Sequence, residues 1–238
     1  AKHIFGIKGS YAVDPQKGAV VMTLTTQGDA PIHYTLDGSE PTAASPRYTE
    51  PVEIGKSARF RATALREGGE NVSYSREFVF SKSTGHPAVL NTKPNDSYTF
   101  EGASLLVDGY HSRPVFTSGA WLGYLDEPLD VTIDMGGEQS YSSVELETLA
   151  EKGDWIFPPS SVTVWVSDNG TDFTEVASVS VPEAKAGDAD GIGRYRMQFP
   201  ETSARYLKVV AQNAAAIPAW HPGAGSKGFL FVDEVVVE

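Results

Sequence analysis

Short segments in which apolar and polar residues alternate, separated by turns rich in glycine and proline, run through this sequence. Alternation with a period of two puts every second side chain on one face of an extended strand. In residues 59–65, for example, Phe60, Ala62 and Ala64 share such a face. A helical period is almost absent. Strands that follow one another without intervening helices predict an all-β chain, folded as antiparallel sandwiches or barrels.

Turn signals separate the strand-like segments. Asp168, Asn169 and Gly170 directly follow one such segment and predict a tight hairpin, because Asn and Gly tolerate the backbone angles of these turns. The predicted strands are residues 20–25, 32–36, 59–65, 77–80, 129–134, 143–148, 162–167, 194–199, 206–210, 229–232 and 235–237.

A polar segment at residues 81–87 (SKSTGHP) interrupts the strand pattern and predicts a flexible linker. The residues before it number about 80, which is enough for a seven-strand immunoglobulin-like sandwich. The sequence therefore predicts two β-sandwiches in tandem: an immunoglobulin-like module over residues 1–82 and a second sandwich over residues 83–238.

The charge balance restricts the partners. Lys and Arg total 19 against 31 Asp and Glu, a formal net charge of −12, so the chain is a poor candidate for binding nucleic acid or an anionic membrane. Plentiful carboxylates suit neutral partners and hard cations. The absence of cysteine excludes disulfides and thiolate sites. No apolar run is long enough for membrane insertion, and residues 1–4 carry no signal-peptide core.

Residues 32–54 contain a compact motif, YTLDGSEPT at residues 34–42, followed by Ser45, Tyr48 and Pro51. It resembles the chitobiase/β-hexosaminidase C-terminal module of bacterial glycosidases. Its residue types favour a tight turn and an edge loop, where proline is tolerated because no ladder N–H is needed. We therefore expect this motif to be structural.

A second resemblance covers residues 104–170 and 205–237. It rests on the segments LVDG at 106–109, WLGY at 121–124, VTIDMG at 131–136, VSDNGTDF at 166–173 and ARYLKV at 204–209. These segments resemble the discoidin, or coagulation factor 5/8 C-type, fold, which family 32 carbohydrate-binding modules share. The resemblance implies a discoidin-like jelly-roll sandwich for residues 83–238.

Two aromatic segments carry a narrower resemblance: WIFP at 155–158, and WHPGAG at 220–225 followed by FLFVDE at 229–234. They resemble the tail of Bacteroidetes family 20 glycoside hydrolases. This implies a non-catalytic ancillary region of a bacterial β-N-acetylhexosaminidase that is secreted, periplasmic or held at the cell surface. The catalytic domain of the parent enzyme is then an expected partner.

The residues themselves also argue against an active site. The adjacent acid pairs at 126–127 and 233–234 lack the Gly-Asp-Glu context of family 20 enzymes. Neighbours on a regular strand point to opposite faces and do not converge on one bond. The sequence lacks the alternation of strands and helices that is typical of a (β/α)₈ barrel. We therefore expect no enzymatic activity.

The discoidin resemblance implies a structural Ca²⁺ site between an irregular loop and the final strand. Gly109 permits a sharp turn after Asp108, and Ca²⁺ needs six to eight oxygens, more than one loop supplies. The implied ligands are the side chains of Asp108 and Glu234, with main-chain oxygens near Leu105, Tyr110, Ser112 or Arg113, and Asp233. The loop sequence is bulkier than usual for this family. The alternative is that both acids are solvated strand ends.

Aromatic residues in irregular segments are the carbohydrate-binding candidates, because Trp and Tyr rings flanked by polar groups suit the apolar faces of sugars. A glycan with N-acetylhexosamine or galactose-type residues is the expected ligand. An equal alternative is that Trp155 and Trp220 anchor an interface with the catalytic domain. Trp121 is expected to pack in the core. The carbohydrate-binding candidates are Trp155, Phe157, Trp220, His221, Tyr110, His111 and Arg113.

Overall fold

A computed structural model describes residues 6–238, and the prediction that residues 1–4 carry no signal-peptide core lies outside this range. The chain is all-β, with four short 3₁₀ turns, at Asp96–Tyr98, Gly102–Leu106, Phe116–Ser118 and Lys152–Asp154. In the described part, no helix has the length and apolar character needed to cross a membrane. The strands are β1 (Ile7–Asp14), β2 (Ala19–Thr26), β3 (Ile32–Thr35), β4 (Val52–Ile54), β5 (Ala58–Ala64), β6 (Val72–Phe78), β7 (Ala88–Leu90), β8 (Leu122–Tyr124), β9 (Leu129–Ala150), β10 (Ser161–Ser167), β11 (Thr174–Ser180), β12 (Gly191–Gln212) and β13 (Leu230–Val237).

The first sandwich pairs two three-stranded antiparallel sheets, ordered β1-β2-β4 and β3-β5-β6. Alternation in β5 buries Phe60, Ala62 and Ala64 against Val20 and Met22 of β2, as the sequence predicts. From residue 6 to Phe78 there are six strands rather than the predicted seven. The strand predicted at 77–80 is the end of β6, which begins five residues earlier.

The second sandwich is a single seven-stranded sheet ordered β11-β10-β12-β9-β13-β8, with β7 also paired to β9. The two long strands β9 and β12 each join segments that the sequence predicted as separate strands. Register shifts near residues 198–206 of β12 and the left-handed Gly136 of β9 break the regular pairing. Bends of this kind let one sheet fold into two facing layers.

The core of the second sandwich lies between these layers. Leu129, Val131 and Ile133 from one half of β9 pack in the same cluster as Val144 and Leu146 from its other half. Trp121 is fully buried in a smaller neighbouring cluster, which confirms its predicted packing role. The hairpin predicted at residues 168–170 joins β10 to β11.

The segment between the sandwiches is not the flexible polar linker that the sequence predicted. Ser83, Thr84 and Gly85 are buried. The Lys82 N–H donates to the carbonyl of Val237 at 2.9 Å, and the Gly85 N–H donates to that of Val107 at 2.9 Å. These polar residues replace hydration with hydrogen bonds to the second sandwich, so the segment connects the two cores tightly. The division at 82/83 stays a prediction.

Gly85 gives a test of this connection. It has φ +81°, and a Cβ there would stand 2.5 Å from the carbonyl carbon of Gly18 in the first sandwich. A left-handed alanine costs about 1–2 kcal/mol before any clash, and for a chain of this length that energy corresponds to a fall in Tm of roughly 2–8 °C. We expect Gly85→Ala to lower the Tm by at least this much, measured by circular dichroism.

Gly187→Ala is the matched control, because Gly187 is exposed and a Cβ there meets nothing within 4 Å. Equal melting of Gly85→Ala and Gly187→Ala would contradict a tight connection between the two sandwiches.

Candidate functional site

Two adjacent acids of β13 lie at a β-bulge. The pairing of β13 with β9 shifts register between Val232 and Val235, so Asp233 and Glu234 together stand opposite Glu147. A bulge breaks the alternation of faces along a strand, and both acids are buried. The expectation that these neighbours point apart is therefore wrong, because it assumed a regular strand. Both carboxylates reach the same loop, residues 107–113, which we call the acidic loop.

Main-chain N–H groups of the acidic loop bind these carboxylates. Oε1 of Glu234 accepts from the N–H groups of Asp108 at 3.0 Å and Gly109 at 2.9 Å. Oδ2 of Asp233 accepts from the N–H of Ser112 at 2.7 Å. Gly109 has φ +72°, as the sequence analysis expected for a sharp turn. The loop is thus held to the last strand by charge-assisted hydrogen bonds, which are among the stronger ones in proteins.

Three carboxyl groups are buried together here. Burial raises the pKa of Asp108 to about 7, against the opposing effects of its contact with Glu234 and the N–H of Tyr110. Burial and then repulsion from Asp108 raise the pKa of Asp233 and of Glu234 well above the usual range. Buried acids of one sign shift their pKa upward because ionising all of them in a low dielectric is unfavourable. The cluster therefore favours protons or a bound cation.

A fourth acid, Glu147, is fully buried beside this cluster but has its own cations. The Nε of Arg194 donates to its Oε1 at 2.7 Å. Nδ1 of His111 lies 3.0 Å from its Oε2 as an ion pair, without the alignment of a hydrogen bond. Burial opposes ionisation of Glu147, but these two neighbours outweigh it and lower its pKa. Glu147 is therefore compensated by direct ion pairs, whereas no cation of the described chain lies within ion-pair distance of the three acids beside it.

The donor set suits a hard cation if main-chain oxygens take part. Within residues 6–238, no three His, Cys, Asp or Glu side chains are arranged to hold a metal ion by themselves. The carbonyls of Tyr110 and Ser112, however, accept no hydrogen bond from the described residues. Carbonyl and carboxylate oxygens are the ligands that Ca²⁺ prefers. The carbonyl of Arg113 is already occupied by the indole N–H of Trp121 at 2.9 Å.

Trp155 and Trp220 form a second feature, at the end of the second sandwich. Their side chains are 42% and 39% exposed, and both rings lie edge-on to His221, with centroids 6.0 and 5.6 Å away. Trp155 has a left-handed backbone, φ +64°, and Gly223 lies so close beneath its ring that a Cβ would come within 2.8 Å. We call Trp155, Trp220 and His221 the tryptophan cluster.

Two residues that the sequence predicted as carbohydrate contacts, Phe157 and His221, are instead buried. Phe157 is only 1% exposed and packs against Trp220 and His221. His221 is also buried: its Nδ1 accepts from the N–H of Gly223 at 3.0 Å, so Nε2 donates to the carbonyl of Lys152 at 2.9 Å. Neither ring has a free edge for a sugar. They support the two tryptophans from below.

The remaining candidates lie elsewhere. Tyr110, His111 and Arg113 line a cleft between the two sandwiches, and no ring contact or hydrogen bond among the described residues joins them to the tryptophan cluster. Arg76 of β6 lies in this cleft as well, with its guanidinium carbon 4.3 Å from the ring centroid of Tyr110. Sequence reasoning missed Arg76 and Glu147, because each occupies an ordinary polar position of an alternating strand.

Comparisons with known proteins agree with the fold. A family model described as F5/8 type C domain matches residues 91–227. A model described as Chitobiase/beta-hexosaminidase C-terminal domain matches residues 11–75. The resemblances to the chitobiase/β-hexosaminidase C-terminal module and to the discoidin fold are thereby confirmed. A search of curated proteins finds no match.

Solved structures of carbohydrate-binding modules are similar to part of this chain. Chitosan-binding module 1 from the chitosanase/glucanase of Paenibacillus sp. IK-5 is 18% identical, covers 66% of this chain and 98% of its own, and has a TM-score of 0.43. CpGH89CBM32-5 from Clostridium perfringens, in complex with GalNAc-beta-1,3-galactose, is 17% identical over 63% and 93%, with a TM-score of 0.43. A Streptococcus pneumoniae fucose binding module is 22% identical over 66% and 94%, with a TM-score of 0.42.

Because the three buried acids repel one another, removing one of their charges should raise the Tm of the protein. In a chelator, the raised pKa of Glu234 gives stability that is present below its unfolded pKa and lost as the pH rises through the folded pKa. We expect Glu234→Gln to raise the Tm in EDTA at pH 8, by roughly 2–4 °C per kcal/mol of relieved repulsion. The glutamine oxygen still accepts a hydrogen bond.

The gain should shrink at pH 5, where the wild-type carboxyl groups take up protons. Glu50→Gln removes an exposed charge and controls for the net charge of the chain. A Tm of Glu234→Gln below that of the wild type in EDTA at pH 8 would count against uncompensated repulsion.

Proposed function

Since this chain belongs to the F5/8 type C domain family, we propose that it is a non-catalytic, carbohydrate-binding region of a larger glycoside hydrolase. The observation that carries the proposal is the tryptophan cluster. Large apolar side chains on a monomer surface need a partner when they are held together and exposed. Trp155 and Trp220 both meet this description, and the buried His221 fixes the position of each ring.

The cluster suits a sugar by its chemistry. Pyranose rings present apolar C–H faces surrounded by hydroxyl groups, and an indole face is a flat apolar surface with a polar rim. Main-chain hydrogen bonds hold the imidazole between the two indoles, so little side-chain entropy remains to be lost on binding. We propose N-acetylhexosamine or galactose-type residues as the ligand class.

The parent enzyme is the second part of the proposal. The match of residues 11–75 to the Chitobiase/beta-hexosaminidase C-terminal domain supports a β-N-acetylhexosaminidase as the parent, with a bacterial location outside the cytoplasm. Neither matched family model is that of a catalytic domain. The ancillary region would keep the enzyme close to its glycan by adding a second, weak point of attachment.

A bound Ca²⁺ is the third part. Asp108 and Glu234, with carbonyl oxygens of the acidic loop, would hold it, and the ion would supply the positive charge that three buried carboxylates lack. Its role is structural, since the N–H groups of the loop already bind the carboxylates and the ion would strengthen the same connection. Leu105 and Asp233 remain proposed main-chain donors.

One observation favours an alternative role for the tryptophan cluster. The indole N–H of Trp220 already donates to the carbonyl of Ala184 at 2.9 Å, so only the apolar surface of this ring is available. An apolar ring without a free donor also suits a protein interface, where Trp is a frequent anchor. The cluster would then pack against the catalytic domain without binding sugar.

Isothermal titration of the chain with N-acetylglucosamine and galactose disaccharides tests the sugar proposal. We expect dissociation constants in the millimolar range, because a shallow site buries little area. Trp155→Ala and Trp220→Ala should each weaken binding about tenfold, as removal of an aromatic anchor does. Trp165→Phe, which changes a tryptophan that lines a different surface pocket with Thr163 and Lys208, is the control.

Absence of heat with every sugar at millimolar concentration would exclude the carbohydrate role. If the parent enzyme then lost thermal stability on Trp155→Ala, the interface role would replace it.

Thermal unfolding in 1 mM CaCl₂ and in EDTA tests the ion. Ligand at about 100 times its Kd stabilises a folded protein by about 2.7 kcal/mol, so a clear rise in Tm is expected for the wild type. Glu234→Gln should lose this rise, whereas Glu50→Gln should keep it. Identical melting of the wild type in both buffers would show that the carboxylates are satisfied by protons alone.

A further inference from the structure

Arg76 lies between the two sandwiches, surrounded by tyrosines. Its guanidinium carbon is 4.3 Å from the ring centroid of Tyr110, 5.5 Å from that of Tyr11 and 5.7 Å from that of Tyr74. Its Nε donates to the hydroxyl of Tyr74 at 3.2 Å. Distances within about 6 Å of a ring centroid allow cation–π attraction, so the rings fix the position of the charge without neutralising it.

Arg76 and Arg113 are among the arginines that have no carboxylate partner in the described chain. Among residues 6–238, no Asp or Glu oxygen lies within ion-pair distance of either guanidinium, although the chain has far more acids than bases. Arg194 and Arg205, by contrast, each bind a carboxylate at 2.7–2.9 Å. In a chain with excess carboxylates, a half-buried guanidinium without one is open to an anion from outside.

The two arginines border a cavity of about 600 Å³. We call it the arginine groove and define it by Arg59, Arg61, Arg76, Arg113, Tyr74 and Tyr110. Glu77 is the acid that lines the groove, and Glu40 pairs with Arg61. A volume of 300–1,000 Å³ is typical of small-ligand sites. Positive charge and aromatic rings therefore meet in one concave site of a strongly acidic protein.

We propose that the arginine groove binds the carboxylate of an acidic sugar, such as a uronic-acid residue of a glycan. A guanidinium presents its donors in a planar fork that matches the two oxygens of a carboxylate. Arg76 is held in place by its tyrosines, no residue of the described chain accepts a hydrogen bond from its terminal N–H groups, and the more exposed Arg113 lines the same cavity. The half-buried rings of Tyr74 and Tyr110 line the groove beside the guanidinium.

The overall charge argues for a short ligand. A net charge of −12 repels a long polyanion, so nucleic acid or an extended acidic polymer is unfavourable at this site. One or two negative charges suffice to occupy the fork. A mono- or disaccharide with one carboxylate per residue has this charge and fits the cavity volume.

This site is separate from the tryptophan cluster. The groove is built by β5, β6 and the acidic loop, whereas the cluster belongs to the segments that follow β9 and β12. Sites on different elements bind independently unless a shared element moves. The two proposals can therefore fail separately.

Titration of the full chain with digalacturonate, with neutral digalactose as its uncharged counterpart, tests the groove. We expect digalacturonate to bind at this site and to weaken as NaCl is raised, because salt screens exposed charges. Arg76→Lys keeps the charge but loses the fork, and should weaken binding about tenfold. Arg113→Met removes an exposed guanidinium and should weaken binding up to about fivefold.

Arg47→Met, which removes an exposed positive charge outside the groove, should leave digalacturonate binding unchanged. Because Arg113 is exposed, its variant keeps the test valid even if Arg76→Lys alters packing. Equal binding of digalacturonate by Arg113→Met and Arg47→Met would overturn the proposal. Tighter binding of a sulfated disaccharide or of a glutamate-rich peptide would overturn the assignment to a sugar carboxylate.

Discussion

Buried carboxylates of the last strand, bound to main-chain N–H groups of the acidic loop, are the interaction on which much of this architecture depends. The bulge at Asp233 and Glu234 directs both side chains into the loop. The loop in turn accepts the Val79 N–H at the Gly109 carbonyl, 2.8 Å away, which ties it to the end of the first sandwich. A strand irregularity of one residue thus connects the final strand, the irregular loop and the neighbouring domain.

Burying these carboxylates together is electrostatically unfavourable. Asp108, Asp233 and Glu234 are each nearly inaccessible to solvent, and main-chain dipoles offset only part of their mutual repulsion. Glu147 shows the other solution on the same sheet, because Arg194 and His111 neutralise it directly. The contrast between compensated and uncompensated acids within one cluster, rather than the number of acids, is the reason why we propose the acidic loop as a cation site.

The local alternation of apolar and polar residues predicts much of this fold. There is a physical reason why it does not predict the rest. β5 and the first half of β9 alternate clearly because one face is buried and the other is solvated. β11 has no fully buried side chain and an irregular burial pattern, so its sequence carries little alternation to detect. The bulge at 233–234 and the burial of Phe157 and His221 depend on residues distant in sequence, which no local period encodes. Family resemblance adds long-range information of this kind. It placed Asp108, Gly109 and Glu234 in one predicted site between the loop and the final strand.

The acidic loop also relates the two proposed ligand sites of different chemistry. Asp108 is one of the three buried acids at the proposed ion site. The ring of Tyr110, two residues later, packs on the Arg76 guanidinium. The N–H of Tyr110 donates to Oδ1 of Asp108 at 2.8 Å, so the carboxylate that would bind the ion also holds the backbone that positions the ring. A change in the protonation of Asp108, or the binding of an ion to it, would therefore act on the wall of the arginine groove through this hydrogen bond. The tryptophan cluster has no such connection, because main-chain contacts around His221 and Lys152 fix it instead.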